Sequence, residues 1–195
     1  MKEISLFQKN LILGSLLGDG SIIKSGERKW RFQIEHSLKQ KDYIFWKYKI
    51  LKNLVRTPPK KRKNVSSIRF RTLSHPWFKK LRKMFYRGSQ KILPDNIEFL
   101  KFPIVIAVWY MDDGTKLVTR RKYLHGCIFN TQQFLIKDVK RMKEFFEKHY
   151  RWQTSIQKDK SGFRLYIFKN SLKSFHSTIK NFIIPSMRYK LPYSP

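Results

Sequence analysis

One pattern occurs twice in this chain, and the repeat constrains the fold more than any other feature. The ten residues Leu11 to Gly20 and the ten residues Val105 to Gly114 are each an apolar, helix-length run that ends in Asp-Gly. Asp19 and Asp113 therefore lie 94 residues apart in a chain of 195 residues. An acid kept at the same place in both halves of a basic chain indicates an internal duplication in which the charge has a purpose.

The same order of elements follows each motif: strands, a helix, a hairpin and a second helix. An alternating, strand-like stretch at Trp30 to His36 corresponds to Gly126 to Gln132, and an amphipathic helix at Asp42 to Leu54 corresponds to Lys137 to His149. The later pairs are the strands Ser67 to Thr72 and Phe163 to Phe168 and the helices Trp77 to Tyr86 and Leu172 to Phe182. The sequence thus predicts an α+β fold of two repeats, with domains at 1–97 and 98–195.

Local signals define the ends of the two motif helices. Ser5 begins a capping box that starts the first helix, and Pro103 suits the first turn of the second. Gly20 and Gly114 are expected to end the helices in the left-handed conformation. The two aspartates then lie at helix C-termini, where the macrodipole disfavours a carboxylate.

The first motif helix offers a flat face for another helix. Gly14 and Gly18 lie four residues apart, whereas the second motif has Val108 and Asp112 at the corresponding positions. We expect the two motif helices to pack together asymmetrically, with the glycines making room for the larger residues. This packing would bring the two motif acids near each other.

A cation is expected between the two motif acids. At roughly 5 Å and an effective dielectric of about 20, Asp19 and Asp113 would repel each other by about 3 kcal/mol. A divalent metal is the simplest counter-charge, because Mg²⁺ accepts one or two carboxylates and completes its shell with water and phosphate oxygens. Such a metal activates water and stabilises the leaving oxygen of a phosphodiester.

The net charge indicates that the binding partner is negatively charged. The chain carries 43 Lys and Arg against 13 Asp and Glu, a net charge of +30. An excess of this size is typical of a polyanion-binding protein, and we expect nucleic acid. An anionic membrane is the rival partner, but it favours a helix with one basic face, whereas the excess here lies largely in strands and loops.

Apolar runs, the N-terminal residues, cysteine and histidine indicate the cellular compartment and whether a zinc site or a disulfide is present. No apolar run reaches the roughly 18 residues of a membrane span, and the N-terminal residues lack a signal-peptide pattern. We therefore expect an intracellular protein, in an organelle (mitochondrion or chloroplast) or a bacterial cytoplasm. Cys127 is the single cysteine, so no internal disulfide can form, and no Cys/His cluster has zinc spacing. The five histidines are scattered, and each is expected to be a surface or packing residue.

The predicted strands separate polar from apolar side chains. Between positions 29 and 35, basic and polar residues alternate with Trp30, Phe32 and Ile34. One face should pack on helices, while the other suits the DNA major groove, where bidentate contacts distinguish base pairs. An ordinary solvated face is the alternative for the strand pattern alone. The predicted DNA contacts on these strands are Lys29, Arg31, Gln33, Arg69 and Arg71.

A basic loop and several residues of the second half supply the remaining predicted DNA contacts. The basic loop Thr57 to Asn64 could be a nuclear localisation signal, but its place between a helix and a hairpin strand favours a role in phosphate contact. Its predicted contacts are Lys60, Lys61, Arg62 and Lys63. In the second half the predicted contacts are Arg120, Arg121, Lys122, Gln132, Lys158 and Arg164.

The two motifs resemble those of a known enzyme family. Ile12 to Gly20 and Ile106 to Gly114 are similar to the signature motifs of the LAGLIDADG homing endonucleases, in the monomeric type that carries two motifs, and the likeness covers nearly the whole chain. The resemblance implies two pseudo-symmetric αββαββα repeats, whose antiparallel sheets form a DNA-binding saddle around central motif helices. It also implies site-specific hydrolysis of a long double-stranded DNA target across the minor groove, leaving short 3′ overhangs.

The resemblance assigns the metal site to the motif acids. Asp19 and Asp113 correspond to the metal-binding, catalytic acids of the family, and the residues before them, Gly18 and Asp112, join the metal-site candidates. Asp112 would point about 100° away from Asp113 round the helix, so we expect it to act in support. The cofactor expected is Mg²⁺, with Mn²⁺ able to substitute and Ca²⁺ supporting binding without efficient cleavage.

Four further residues are carried over from the family. Lys91 and Lys190, each just before a Leu-Pro or Ile-Leu-Pro segment, correspond to the basic residue near each scissile phosphate. Glu35 and Asn130 correspond to the polar residue beside the water network. The first motif departs from the signature at Leu17 and Gly18.

The differences between the halves predict a monomer on an asymmetric target, with no protein partner required. The strand that carries Arg31, Gln33 and Glu35 corresponds to one that carries Cys127, Phe129 and Asn130, so the two halves should face DNA with different side chains.

Two alternatives use the same fold. An RNA-binding intron maturase would also need a strongly basic surface, and a non-catalytic regulator is the third interpretation. Loss of either motif acid would favour these alternatives. Both acids and both lysines are present, so the sequence favours the endonuclease.

Overall fold

Each half of the chain folds into the same succession of elements. The computed structural model describes residues 3–121 and 123–193. The first half contains α1 (Leu6–Leu17), β1 (Ser21–Lys24), β2 (Trp30–Ser37), α2 (Lys41–Leu51), β3 (Lys60–Lys61), β4 (Ser67–Arg71) and α3 (Pro76–Phe85). A hairpin of β5 (Tyr86–Arg87) and β6 (Gln90–Lys91) follows. The second half contains α4 (Pro103–Asp113), β7 (Gly114–Val118), β8 (Leu124–Phe129), α5 (Ile136–Phe145), β9 (Thr154–Asp159), β10 (Gly162–Phe168) and α6 (Leu172–Ile179).

The expected α+β class and the αββαββα order in each half are confirmed. Short 3₁₀ turns extend several helices, and the hairpin β5–β6 was not predicted. The domain boundary after residue 97 stays a prediction. Within the described residues, no helix is long and apolar enough to cross a membrane.

The two four-stranded antiparallel sheets have matching strand orders, β1-β2-β4-β3 and β7-β8-β10-β9. In the first sheet, Gln33 pairs with Arg71 and Glu35 with Arg69 across β2 and β4. Phe32 and Ile34, which alternate with these polar residues, are fully buried. The first sheet therefore has the predicted apolar inner face and polar outer face.

The second sheet has a different outer face from the one expected. Cys127 and Phe129 are fully buried and belong to the hydrophobic core, so their predicted place on the DNA-facing side is wrong. The alternation along β8 instead places Ile128 on the opposite face, where it pairs with Tyr166 of β10, and both residues are buried. At the offset of 95 residues that relates Glu35 to Asn130, Cys127 and Phe129 correspond to the buried Phe32 and Ile34, whereas Ile128 corresponds to Gln33.

The two motif helices pack against each other at the centre of the molecule. A Cβ added at Gly14 would lie 2.6 Å from the carbonyl oxygen of Val105 and 2.9 Å from Cβ of Val108. One added at Gly18 would lie 2.5 Å from Cβ of Asp112. The predicted asymmetric contact is therefore present, because the glycines of α1 receive the larger residues of α4.

The helix ends follow the sequence signals, except for the conformation of the terminal glycines. Ser5 forms the capping box of α1, and Pro103 lies in the first turn of α4. Gly20 and Gly114 do not adopt positive φ angles, so the prediction of left-handed helix ends is wrong. Their role is steric, since a side chain at Gly114 would overlap the ring of Tyr110.

Candidate active site

The two motif acids lie close enough to influence each other's ionisation. Asp113 is the last residue of α4, and Asp19 follows the end of α1 by two residues. Burial, followed by the negative charges of Asp19 and Asp112, raises the pKa of Asp113 to about 8, although Lys91 and Lys190 oppose the change. The helix packing thus concentrates negative charge at one point between the two halves.

Asp19 has a different environment from Asp113. Its Oδ2 atom lies 3.2 Å from Nδ1 of His36, and its side chain is 41% exposed. Burial alone would raise the pKa of Asp19, but contact with His36 and the charges of Lys47 and Lys91 hold it below its ordinary value. At neutral pH, a larger fraction of Asp19 than of Asp113 is therefore ionised.

The two predicted lysines reach the ends of the motif helices. The Lys91 ammonium donates a hydrogen bond to the carbonyl oxygen of Gly18. Lys190 donates to the carbonyl oxygens of Met111 at 2.5 Å and Asp112 at 3.2 Å. Burial lowers the pKa of both lysines, while the motif acids counteract this effect. Each half therefore contributes one acid and one lysine to the same centre.

Asp112 is fully buried and already paired. Its Oδ1 accepts hydrogen bonds from Tyr43 and from Lys47, both at 2.7 Å, and its Oδ2 accepts one from the backbone N–H of Asp19 at 3.3 Å. The Lys47 side chain is also completely buried, so the two charges compensate each other. These contacts favour the supporting role of Asp112, and a direct role for Asp112 or Gly18 in metal binding stays a prediction.

Several residues could hold a metal ion. Asp19, His36 and Asp112 each offer a ligand atom, and these atoms lie within 4.8 Å of one another. Because Lys47 already neutralises Asp112, the charge available to a cation comes from Asp19 and Asp113. Two carboxylates that repel each other are the hard oxygen donors that Mg²⁺ prefers, so the residues present fit a divalent metal.

The two residues assigned to the water network lie in different surroundings. Glu35 accepts hydrogen bonds from Arg62 at 2.9 Å and Ser67 at 2.7 Å on the outer face of the first sheet. Asn130 donates its side-chain amide to the carbonyl oxygen of Asp113 at 2.8 Å. Asn130 is therefore adjacent to a motif acid, whereas the Glu35 carboxylate is held by arginine. Both roles stay predictions.

Comparison with known proteins places this site in an enzyme family. Residues 9–175 match the model of the LAGLIDADG DNA endonuclease family. The chain belongs to this family. The predicted family, the saddle fold and the general function of a site-specific DNA endonuclease are thereby confirmed.

Individual relatives of this LAGLIDADG protein include both DNA endonucleases and an mRNA maturase. It is 31% identical to DNA endonuclease I-ChuI of Chlamydomonas applanata, over 94% of each chain. It is 27% identical to the cytochrome b mRNA maturase bI2 of Debaryomyces hansenii, covering 93% of this chain and 72% of the maturase. The solved structure of the homing endonuclease I-WcaI bound to its DNA recognition sequence superposes with a TM-score of 0.85 and 26% identity, covering 98% of this chain and 88% of that one.

The first sheet of this LAGLIDADG protein concentrates basic side chains on its outer face. Arg71 donates to Gln33 at 2.7 Å, and Arg69 lies 3.8 Å from Glu35. Lys60 pairs with Arg69 across β3 and β4, so it extends the same surface. An open groove of about 450 Å³ on this side includes Arg31, Arg56, Lys60, Arg69 and Arg71 among its lining residues. The other predicted contacts of this half, Lys29, Lys61, Arg62 and Lys63, are exposed.

The predicted DNA contacts of the second half do not form one surface. Arg164 forms an ion pair with Asp159, which also accepts a hydrogen bond from Gln132 at 3.0 Å. Lys158 pairs with Phe163 and therefore projects to the opposite side of the sheet from Arg164. Arg120 and Arg121 are exposed beyond β7, and Lys122 lies outside the described residues. The contact roles stay predictions.

Sequence reasoning missed four polar residues at the active site. His36 is not a surface or simple packing residue, because it contacts Asp19. Tyr43 and Lys47 support Asp112, and Gln133 donates to the carbonyl oxygen of Leu17 at 2.8 Å and lies 3.4 Å from Asp113. Two signals were present: a histidine on the apolar face of β2, and a lysine one helical turn after Tyr43 within the buried stripe of α2.

Proposed function

We propose that this endonuclease cuts the two strands of an asymmetric DNA duplex with two acid–lysine pairs, Asp19 with Lys91 and Asp113 with Lys190, and with Mg²⁺ as the metal. The observation that carries the proposal is the joint placement of these four side chains. Each lysine donates to a carbonyl oxygen within two residues of the acid of its own half, and the charges of Asp19, Lys91 and Lys190 all influence the ionisation of Asp113.

The acids and the lysines have complementary tasks. Asp19 and Asp113 would hold the metal, which when bound supplies Lewis-acid stabilisation and activates a water molecule. The two ammonium groups are fixed by backbone carbonyls and partly withdrawn from water. A cation held in this way interacts most strongly with a scissile phosphate when negative charge develops there in the transition state.

The outer faces of the two sheets are the proposed DNA-contacting surface. The basic groove of the first sheet includes Arg31, Arg69 and Arg71, whereas Ile128 and Tyr166, which pair at the centre of the second sheet, are buried and carry no charge. Because the two faces differ in chemistry, we expect each to favour a different half-site sequence. The protein would act as a monomer built from domains 1–97 and 98–195, without a protein partner.

An RNA-binding maturase is the second candidate. The similarity to a cytochrome b mRNA maturase supports it, and RNA would also require a strongly basic surface. The convergence of two acids and two lysines favours the nuclease, because binding RNA does not require repelling carboxylates at the centre of the molecule.

Substitution of each motif acid tests the proposal. Asp19→Asn and Asp113→Asn keep the side-chain shape but remove the charge, so cleavage in Mg²⁺ should fall by on the order of 100-fold or more. The circular dichroism spectrum of each variant and its DNA affinity without metal should match those of the wild type. Ca²⁺ should support DNA binding by the wild type with little cleavage. Asp95→Asn is the matched control, because Asp95 is exposed. Cleavage at the wild-type rate by either active-site variant would overturn the proposed site.

A further inference from the structure

A chain of polar contacts supports Asp19 from behind. Oδ1 of Asp112 accepts a hydrogen bond from Lys47 at 2.7 Å. The Nζ atom of Lys47 lies 3.3 Å from Nε2 of His36, and Nδ1 of His36 lies 3.2 Å from Oδ2 of Asp19. The side chains of Asp112, Lys47 and His36 are fully buried, and Asp19 is the one member that reaches solvent.

These contacts determine where the proton of His36 lies. An ammonium group can only donate hydrogen bonds, so the Nε2 atom that faces Lys47 must be an acceptor. An imidazole that accepts at Nε2 carries its proton on Nδ1, the atom that faces Asp19. Nδ1 lies 3.2 Å from Oδ2 of Asp19, although the angle is not that of a hydrogen bond, and Nδ1 has no hydrogen-bond partner in the described part of the chain. The Asp19 carboxylate is thus an acceptor within reach of this N–H group, and a small rotation of either side chain would align the two.

Burying the Lys47 ammonium costs free energy unless all its hydrogen bonds and its ion pair are formed. A buried ammonium loses its hydration, and an ion pair offsets this loss only when its geometry is good and its other hydrogen bonds are satisfied. Lys47 meets this requirement through Asp112 and through the ring of Tyr43, whose centroid lies 4.3 Å from Nζ. These packed partners hold the imidazole of His36 in one orientation, as second-layer groups do for metal-binding side chains.

The second half lacks this arrangement. The residues at the positions of His36, Lys47 and Asp112 are Thr131, Met142 and Gly18. The Thr131 hydroxyl donates its hydrogen bond to the carbonyl oxygen of Phe163 at 2.7 Å. Among the described residues, Asp113 has no imidazole beside it, and Gln133 approaches it at 3.4 Å. The two acids are therefore held by different means.

We propose that His36, oriented by Lys47 and Asp112, is a positioning residue for Asp19 alone, so that cleavage of one DNA strand depends on it and cleavage of the other does not. The inference rests on the proposed function of the acid–lysine pairs. Its consequence is an unequal pair of cleavage centres within one monomer, in which the centre of the first half is held in place before DNA binds.

Strand-resolved kinetics test this inference. Each strand of the target duplex is labelled separately, and single-turnover cleavage in Mg²⁺ is followed at saturating enzyme. His36→Leu should slow one strand by roughly 10-fold or more, which is the usual effect of losing such a supporting group, so that a nicked duplex accumulates. The affected strand should be the one that Lys91→Met also slows.

Two further variants separate positioning from a general effect on folding. His36→Asn can place an amide N–H near the position of Nδ1, so it should restore part of the lost rate. Thr131→Val, the counterpart in the second half, should leave both strands within about twofold of wild type. Equal slowing of both strands by His36→Leu and His36→Asn, or no slowing, would overturn the inference. Failure of the wild type to cut either strand would instead overturn the proposed function.

Discussion

Asp113 should make the metal-free protein less stable as the pH rises. Burial and the charges of Asp19 and Asp112 raise its pKa in the fold to about 8, from an ordinary value of 3.8. Between these two values the folded state retains a proton that the unfolded chain has released, so the free energy of unfolding falls with increasing pH. The stabilising contribution is complete below about pH 4 and lost above about pH 8.

The size of this effect can be estimated from the pKa. A rise from 3.8 to about 8 corresponds to at most ~6 kcal/mol of stability. Asp113 is only partly buried in the fold, and solvent screens its charge, so we expect ~2–3 kcal/mol. Asp113→Asn removes this pH dependence, because its amide does not ionise and stays neutral like the protonated acid. The variant should match the wild type at pH 4 and exceed its free energy of unfolding by that amount at pH 9.

Urea unfolding in a chelator measures this difference directly. The wild type and Asp113→Asn are compared at pH 4 and pH 9, and Asp95→Asn is the control for the loss of one exposed carboxylate. Added Mg²⁺ at pH 9 should stabilise the wild type more than Asp113→Asn, because a cation relieves the repulsion between the acids. A difference that is the same at both pH values, or a more stable wild type at pH 9, would refute the reasoning.

Two further predictions concern the helix contact and the lysines. Gly14→Ala should reduce the free energy of unfolding by roughly 1–2 kcal/mol. The added Cβ would lie 2.6 Å from the Val105 carbonyl oxygen, and this overpacking costs more than the ~1 kcal/mol gained in helix propensity. Urea unfolding that shows a more stable variant would contradict this prediction. Lys91→Met and Lys190→Met should each lower the single-turnover rate on one strand with DNA affinity nearly unchanged, whereas weaker binding with an unchanged rate would indicate phosphate anchors.

The duplicated order of helices and strands could be predicted from the sequence because each element has a local sequence pattern. Each helix, strand and turn has its own periodicity, and each pattern occurs twice at nearly constant spacing. The contact between the motif helices was also predictable, because Gly14 and Gly18 in one copy are opposed by Val108 and Asp112 in the other. Small residues at helical spacing are informative when the partner helix is another copy of the same motif.

The buried polar contacts behind the motif acids could not be predicted from the sequence in the same way. Lys47 and Asp112 are 65 residues apart in the chain, and no local pattern indicates that a lysine in an apolar helix stripe will find a carboxylate. His36 illustrates the same difficulty, because its position on the inner face of β2 favours packing until tertiary structure brings Asp19 to it. Buried polar pairs depend on the assembled core rather than on the elements that supply them.

The most direct test of the central claim is to sequence the ends produced when the protein cuts a randomised duplex library in Mg²⁺. The account predicts one long, asymmetric target cut in both strands with short 3′ overhangs, and no such cutting by Asp19→Asn or Asp113→Asn. A palindromic preferred target would contradict the unequal halves. An uncut library would contradict the nuclease and support the maturase, and wild-type cutting by the variants would contradict the acid–lysine centre.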